Sequence, residues 1–145
     1  MLIEPRPSDD LGLLLLLDLA LKELITRYPD SPSTHSVDPA TSYLVAADDG
    51  DAIGCIGLMP VVDGVGEIKR MFVHEAHRGR GIARRLVTSV EAVARHRGAM
   101  SLRLATGTRQ PEAVALYESV GYERTPPYGK YVDDPLARCY LKQLA

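Results

Sequence analysis

Apolar and polar positions along this chain follow two periods, one near two and one near 3.6, and the switches between them mark the elements. Residues 1–6 read as a short strand that Pro7 closes. A leucine run at residues 11–17 then opens a helix, with Ser8 the expected N-cap and Asp9 and Asp10 in its first turn, where negative charge suits the dipole. Asp18 interrupts the run well short of the ~20 apolar residues that a membrane span needs. The segment ahead of it is acidic, unlike that of a signal peptide. Asp18 and Lys22 stand four apart in the favourable order and give the helix a polar stripe. The leucines around that stripe make a wide apolar face, as for a helix lying on a sheet.

Residues 29–41 turn to Pro, Ser, Asp and Thr and read as a loop. Residues 42–47 and 52–59 are strands around Asp49-Gly50, a hairpin signal. Asp63-Gly64 marks the next turn and leads into a third strand of the same meander. A helix follows Gly81, with Ile82, Leu86, Val90 and Val93 on one face. Arg95, His96 and Arg97 suit its C-terminal dipole, and Gly98 supplies a left-handed cap. Residues 100–106 form the next strand, Pro111 starts a short helix where no N–H is needed, and Gly121 ends it. Residues 122–131, with Pro126 and Pro127, lead through a loop to a last strand at 136–144. The order β-α-β-β-β-α-β-α-β-β describes a mixed α/β sheet in one domain spanning residues 1–145.

Composition narrows the class. With 46% hydrophobic and 25% charged residues, the chain has the make-up of a soluble globular protein. A net charge of −2 provides no global field toward nucleic acid or a membrane surface. The charge is uneven, however: six of the 17 basic residues (Lys69, Arg70, Arg78, Arg80, Arg84, Arg85) fall within residues 69–85, which points to a local anion site. Cys55 and Cys139 make no disulfide framework and sit in strand-like apolar runs, as buried thiols of a reducing cytoplasm do. His35, His74, His77 and His96 have no metal-ligand spacing, so no metal is expected.

The chemistry concentrates at residues 67–83, EIKRMFVHEAHRGRGIA. The stretch begins as an apolar strand and ends in a glycine-rich turn at the mouth of a helix. Such a turn leaves backbone N–H groups free at a helix N-terminus, where donors and dipole favour an anion. Arg78 and Arg80 are placed to add charge-assisted bonds, so a pyrophosphate is the expected ligand. Arg78-Gly79-Arg80-Gly81-Ile82-Ala83 fits the R-x-x-G-x-A/G signature of the GNAT superfamily of acyl-CoA-dependent N-acetyltransferases. Residues 67–73 resemble that superfamily's fourth strand. Leu104-Ala105-Thr106-Gly107, Gln110, Ala113 and residues 116–122 resemble its fifth strand and following helix. The combination with P-P-Y-G-K-Y near the end is similar to a bacterial subgroup of these acetyltransferases.

The resemblance implies a GNAT-like α/β fold: a mixed, mostly antiparallel central sheet flanked by helices and splayed between the fourth and fifth strands. It implies acetyl-CoA as co-substrate and a primary amine of a small molecule, such as an amino acid, as acceptor. Residues 78–83 would wrap the pyrophosphate, while Met71, Phe72 and Val73 would offer a backbone edge to the pantetheine and an N–H to the thioester carbonyl. Gln110 stands where relatives often carry an Asn that bonds the pantetheine arm, and Ala113 lies on the same helix. Tyr117 takes the place of the family's general acid toward the departing thiolate. Glu67 takes that of a catalytic glutamate, with a water chain, or a structural pair to Lys69 or Arg70, as the alternatives. Ala105 replaces a Glu often seen before Thr-Gly. Residues 29–41 and 124–133 would border the acceptor, and Lys69, Arg70 and Arg103 would either meet a substrate carboxylate or pair with acids on the sheet. A protein or peptide acceptor and a non-catalytic acyl-CoA-binding module are the competing readings. A cytoplasmic enzyme with no nucleic-acid or membrane partner is expected, and a homodimer is left open.

Overall fold

The computed structural model describes residues 1–30 and 39–144. Its centre is a seven-stranded sheet in the order β1-β2-β3-β4-β5-β7-β6. The strands are β1 (Leu2–Arg6), β2 (Ser42–Asp48), β3 (Asp51–Leu58), β4 (Val65–Val73), β5 (Ser101–Gly107), β6 (Glu123–Arg124) and β7 (Ala137–Gln143). All neighbours run antiparallel except β4 and β5, which are parallel. Three helices complete the described chain: α1 (Leu11–Arg27), α2 (Ile82–His96) and α3 (Pro111–Ser119). This is the expected mixed, mostly antiparallel α/β arrangement.

Local chemistry accounts for most of the connections. Asp49 and Gly50 both have positive φ (49° and 86°), as do Asp63 and Gly64 (51° and 77°), the signature of the two-residue turns that suit twisted hairpins. Gly98, at φ 86°, lies just beyond α2, and Pro111 opens α3. One cap differs from expectation. Asp10, not Ser8, caps α1, accepting from the Leu13 N–H at 2.9 Å while pairing with Arg6 at 3.1 Å. The Asp10 N–H donates to the Pro7 carbonyl at 3.0 Å, so a tight turn takes up Ser8 and Asp9 before the helix begins.

The period-two alternation of β2 divides the core. Tyr43 and Val45 join Cys55 and Phe72 on the face covered by Leu13, Leu16 and Leu17 of α1. Leu44 and Ala46 join Ile56, Leu58, Ile68, Leu102 and Leu104 on the other face, under Ile82, Leu86, Val87, Val90 and Ala94 of α2. The wide apolar face of α1 is only partly used, since Leu11 and Leu15 remain exposed. Asp18 and Lys22 form the expected pair at 2.9 Å. Both cysteines are buried and free. No helix among the described residues is long and apolar enough to cross a membrane.

The feature that positions the site is a defect in this sheet. Cys55 faces Phe72 and Gly57 faces Lys69, so Arg70 and Met71 together oppose Ile56 alone. That extra residue is a β-bulge, and Arg70 adopts φ +57° to make it. Parallel pairing of β4 with β5 ends at Glu67 opposite Arg103. Beyond that rung the bulge bends β4 away, and a gap opens between the two strands.

Candidate active site

The gap is walled by β4 on one side and by β5 with α3 on the other. On the β4 side the backbone itself is available. The His74 N–H donates to Ile53 of β3 at 2.8 Å, and amides alternate direction along a strand, so the Val73 backbone faces away from β3 and into the gap. The Val73 carbonyl accepts from Arg78 Nε at 2.9 Å, in keeping with that direction. By the same alternation Phe72 turns its backbone toward β3 and its ring toward α1. Met71 packs against the α2-side core at the bulge.

The chain then makes a short 3₁₀ turn (Glu75–His77), passes Gly79 at φ 79° and reaches Gly81 at φ 77°, the N-cap of α2. No side chain caps this helix and its first turn carries no acid, so its leading N–H groups face outward with the dipole behind them. Ile82 is buried and Ala83 half-buried, which anchors the turn on the sheet. Each of the two arginines has partners within the fold. Arg78 binds Glu23 of α1 at 2.9 and 3.1 Å, holds the Val73 carbonyl and lies 5.4 Å from the Phe72 ring centroid. Arg80 contacts His77 Nδ1 at 2.8 Å and Asp48 at 3.3 Å. Their side chains brace the turn, and the outward donors are backbone.

Across the gap, Tyr117 of α3 is 4% exposed and packs edge-on against Tyr122 with ring centroids 5.6 Å apart. Burial raises its pKa above the ordinary tyrosine value, so it is a protonated hydroxyl at neutral pH. Tyr122 is held by a bond from its hydroxyl to Glu91 at 2.8 Å, and Glu91 also pairs with Lys142 at 3.0 Å. Sequence reading missed Glu91, which sits on the buried stripe with Val87 and Ala94. Its place on that stripe was the available signal. Gln110 precedes α3 without capping it and accepts from Thr106 at 3.4 Å, and Ala113 packs half-buried against the core one turn before Tyr117. Arg27 and Tyr28 at the end of α1 join Arg109 and Glu112 at the start of α3, which ties α1 to the α3 wall.

Glu67 lies at the root of the gap, on the α1 face, with its carboxylate 2.7 Å from Lys69 and 3.3 Å from Arg103. It is a paired carboxylate, and Arg103, read as a cation for a substrate carboxylate or for an acid on the sheet, has Glu67 as that acid. Lys69 also donates to the Tyr131 hydroxyl at 3.1 Å. Burial alone would lower the Lys69 pKa, but its bonds to Glu67 and Tyr131 outweigh this and raise it. Tyr128 and Tyr131, from the segment before β7, cover this face and meet edge-on at 5.6 Å. Residues 31–38 of the expected acceptor loop lie outside the described residues.

Comparison with known proteins places this geometry in a class. Residues 14–122 match the model of the Acetyltransferase (GNAT) family, and the chain belongs to that family of acetyl-CoA-dependent transferases. An IAA acetyltransferase of Azospirillum brasilense is 38% identical over 124 residues, covering 81% of this chain and 80% of that protein. N-acetyltransferase 8 of Rattus norvegicus is 35% identical over 109 residues, or 72% of this chain, which spans about half (49%) of that relative's length. Among solved structures, an acyl-CoA N-acyltransferase assignment from Klebsiella pneumoniae subsp. pneumoniae superposes with a TM-score of 0.84 at 29% identity, covering 99% of this chain and 97% of that one. A GNAT acetyltransferase from Elizabethkingia anophelis with acetyl-CoA bound gives a TM-score of 0.73 at 22% identity over 98% and 97% of the two chains, a likeness of fold.

Proposed function

We propose that this protein transfers the acetyl group of acetyl-CoA to the primary amine of a small molecule, such as an amino acid, by direct attack. The observation that carries the reading is the gap between β4 and β5, which leads straight into the uncapped N-terminus of α2. The residues present suit acetyl-CoA: a strand edge with its backbone turned outward for the pantetheine, and free helix N–H groups for the pyrophosphate. When bound, acetyl-CoA supplies a thioester whose carbonyl carbon forms a bond to the amine nitrogen as its bond to sulfur breaks.

The chain's own groups then have distinct tasks. The backbone of residues 79–83 receives the pyrophosphate, with Arg78 and Arg80 holding the turn in shape. The β4 edge at Met71, Phe72 and Val73 orients the thioester, and the outward amide of Val73 polarises its carbonyl. Gln110 and Ala113 line the α3 side of the pantetheine arm. The Tyr117 hydroxyl donates to the sulfur as negative charge develops there. Glu67 receives the proton that the amine loses, directly or across a water, with Lys69 and Arg103 fixing its orientation.

The cover of Tyr128 and Tyr131 over Glu67 supports a small acceptor over an extended peptide. Release of free thiol from acetyl-CoA in the presence of amino acids, polyamines, aminoglycosides and peptides tests the reading. Thiol release limited to peptides would refute the small-molecule assignment. Acetyl-CoA binding without release for any amine would refute catalysis.

A further inference from the structure

The cluster at the root of the gap carries more positive charge than its own neutrality requires. Lys69 and Arg103 share the single carboxylate of Glu67, two cations against one anion, which leaves a net charge of +1. Lys69 uses two of its three N–H donors, on Glu67 and on the Tyr131 hydroxyl. Arg103 uses one of five. It donates to Glu67 through Nε, and its guanidinium carbon lies 4.0 Å from the Tyr128 ring centroid. Its two Nη groups have no hydrogen-bond partner among the described residues, and its side chain is 42% exposed. The Tyr128 hydroxyl is buried and also lacks a partner among the described residues. A buried hydroxyl left unpaired points to a group that completes it.

We propose that this cluster is the carboxylate subsite of the acceptor: the amine that is acetylated also bears a carboxylate, as a free α-amino acid does, and Arg103 with the Tyr128 hydroxyl holds it. The inference rests on the reading of the chain as a small-molecule N-acetyltransferase. Three observations favour this ligand class. A monoanion neutralises a cluster of net charge +1, whereas a polyamine would be repelled by it. The free side of a guanidinium presents two parallel donors that match a planar carboxylate. Glu67 and Arg103 form the last paired rung before the strands part, so a carboxylate held there leaves its amine beside the opening of the gap. The Tyr128 ring under the guanidinium and the Nε bond to Glu67 hold Arg103 from two sides, which makes this a prepared site.

Matched acceptors decide the question. Free amino acids, their C-terminal amides and spermidine are assayed with acetyl-CoA by thiol release. The free acids should exceed their amides in kcat/KM by about 10- to 100-fold, the worth of a charge-assisted hydrogen bond, with the difference residing in KM. Arg103→Gln and Arg103→Lys should bring that ratio toward one while the acetyl-CoA dissociation constant stays put. Tyr128→Phe, which keeps the ring under Arg103, should reduce the ratio by a smaller factor. Calorimetric binding of the N-acetyl amino acid product, weakened by Arg103→Gln, gives a readout independent of turnover. Equal kcat/KM for acids and amides in the native enzyme would overturn the subsite and leave the transferase reading intact. So would a ratio unmoved by Arg103→Gln in a variant that still binds acetyl-CoA. No thiol release with any acceptor would strike the transferase reading itself.

Discussion

Replacing Tyr117 by Phe separates chemistry from packing, because the structure predicts opposite signs for the two. The ring is 4% exposed and stacks edge-on against Tyr122, and Phe keeps that contact. The hydroxyl makes no hydrogen bond to the described residues, so removing it breaks no bond within the fold. Stability should therefore stay level or rise by about 1 kcal/mol, roughly 3 °C in Tm for a chain of this size. Turnover should fall. A thiol of ordinary pKa near ~8.5 yields a weaker base than tyrosinate near ~10, so full proton transfer from Tyr117 is uphill by at least about 2 kcal/mol. Burial raises the Tyr117 pKa further, which widens that gap. What remains is a charge-assisted hydrogen bond to the developing thiolate, about 1.5–3 kcal/mol, or roughly 10- to 100-fold in kcat. The acetyl-CoA dissociation constant should barely move, since the interaction belongs to the transition state. The same burial sets a pH effect. With the folded pKa above the unfolded one, this contribution to stability is complete below about pH 10 and is lost as pH rises beyond it, and the Phe variant lacks that loss. The assays are thiol release at saturating acetyl-CoA, calorimetry, and thermal melts at neutral and alkaline pH. A kcat matching wild type would make Tyr117 a packing residue, and a Tm drop of many degrees would mean its hydroxyl is bonded in the fold.

Substitutions at three further positions probe the glycine turn, the buried Glu91 cluster and the base. Gly81→Ala places a side chain at φ +77°, where strain costs about 1–2 kcal/mol, so the melt should fall and acetyl-CoA should bind more weakly; an unchanged dissociation constant would remove the turn from the cofactor site. Glu91→Ala strands Lys142 and the Tyr122 hydroxyl and should destabilise by roughly 3 kcal/mol in urea unfolding, with Glu91→Gln milder; a loss under the noise of the measurement would show that water replaces the pair. Glu67→Gln should lower turnover while acetyl-CoA affinity is retained, and wild-type turnover would hand the proton to a water chain.

What the sequence determined by itself is what depends on a few neighbouring residues. Asp-Gly turns, the Gly98 and Pro111 boundaries and the Gly79–Gly81 mouth of α2 were all legible, because each needs only one local backbone conformation. The division of β2 into two buried faces follows from the same kind of local rule. The Lys69–Glu67 pair was also within reach, since residues two apart in a strand share a face. Tertiary structure decided the rest. The bulge that opens the gap puts an arginine, Arg70, at φ +57°, a conformation that its residue type does not announce and that only the register with β3 enforces. Arg78 read as a phosphate ligand, and its ion pair with Glu23 of α1, 55 positions away, was not legible. Glu67 read as a candidate base or a partner of Lys69 or Arg70, and it is the parallel rung with β5 that sets Arg103 beside it. The physical reason is the same in each case. Backbone preference acts within one turn or one strand, whereas the partner of a charge is chosen by whichever element the packed core carries next to it.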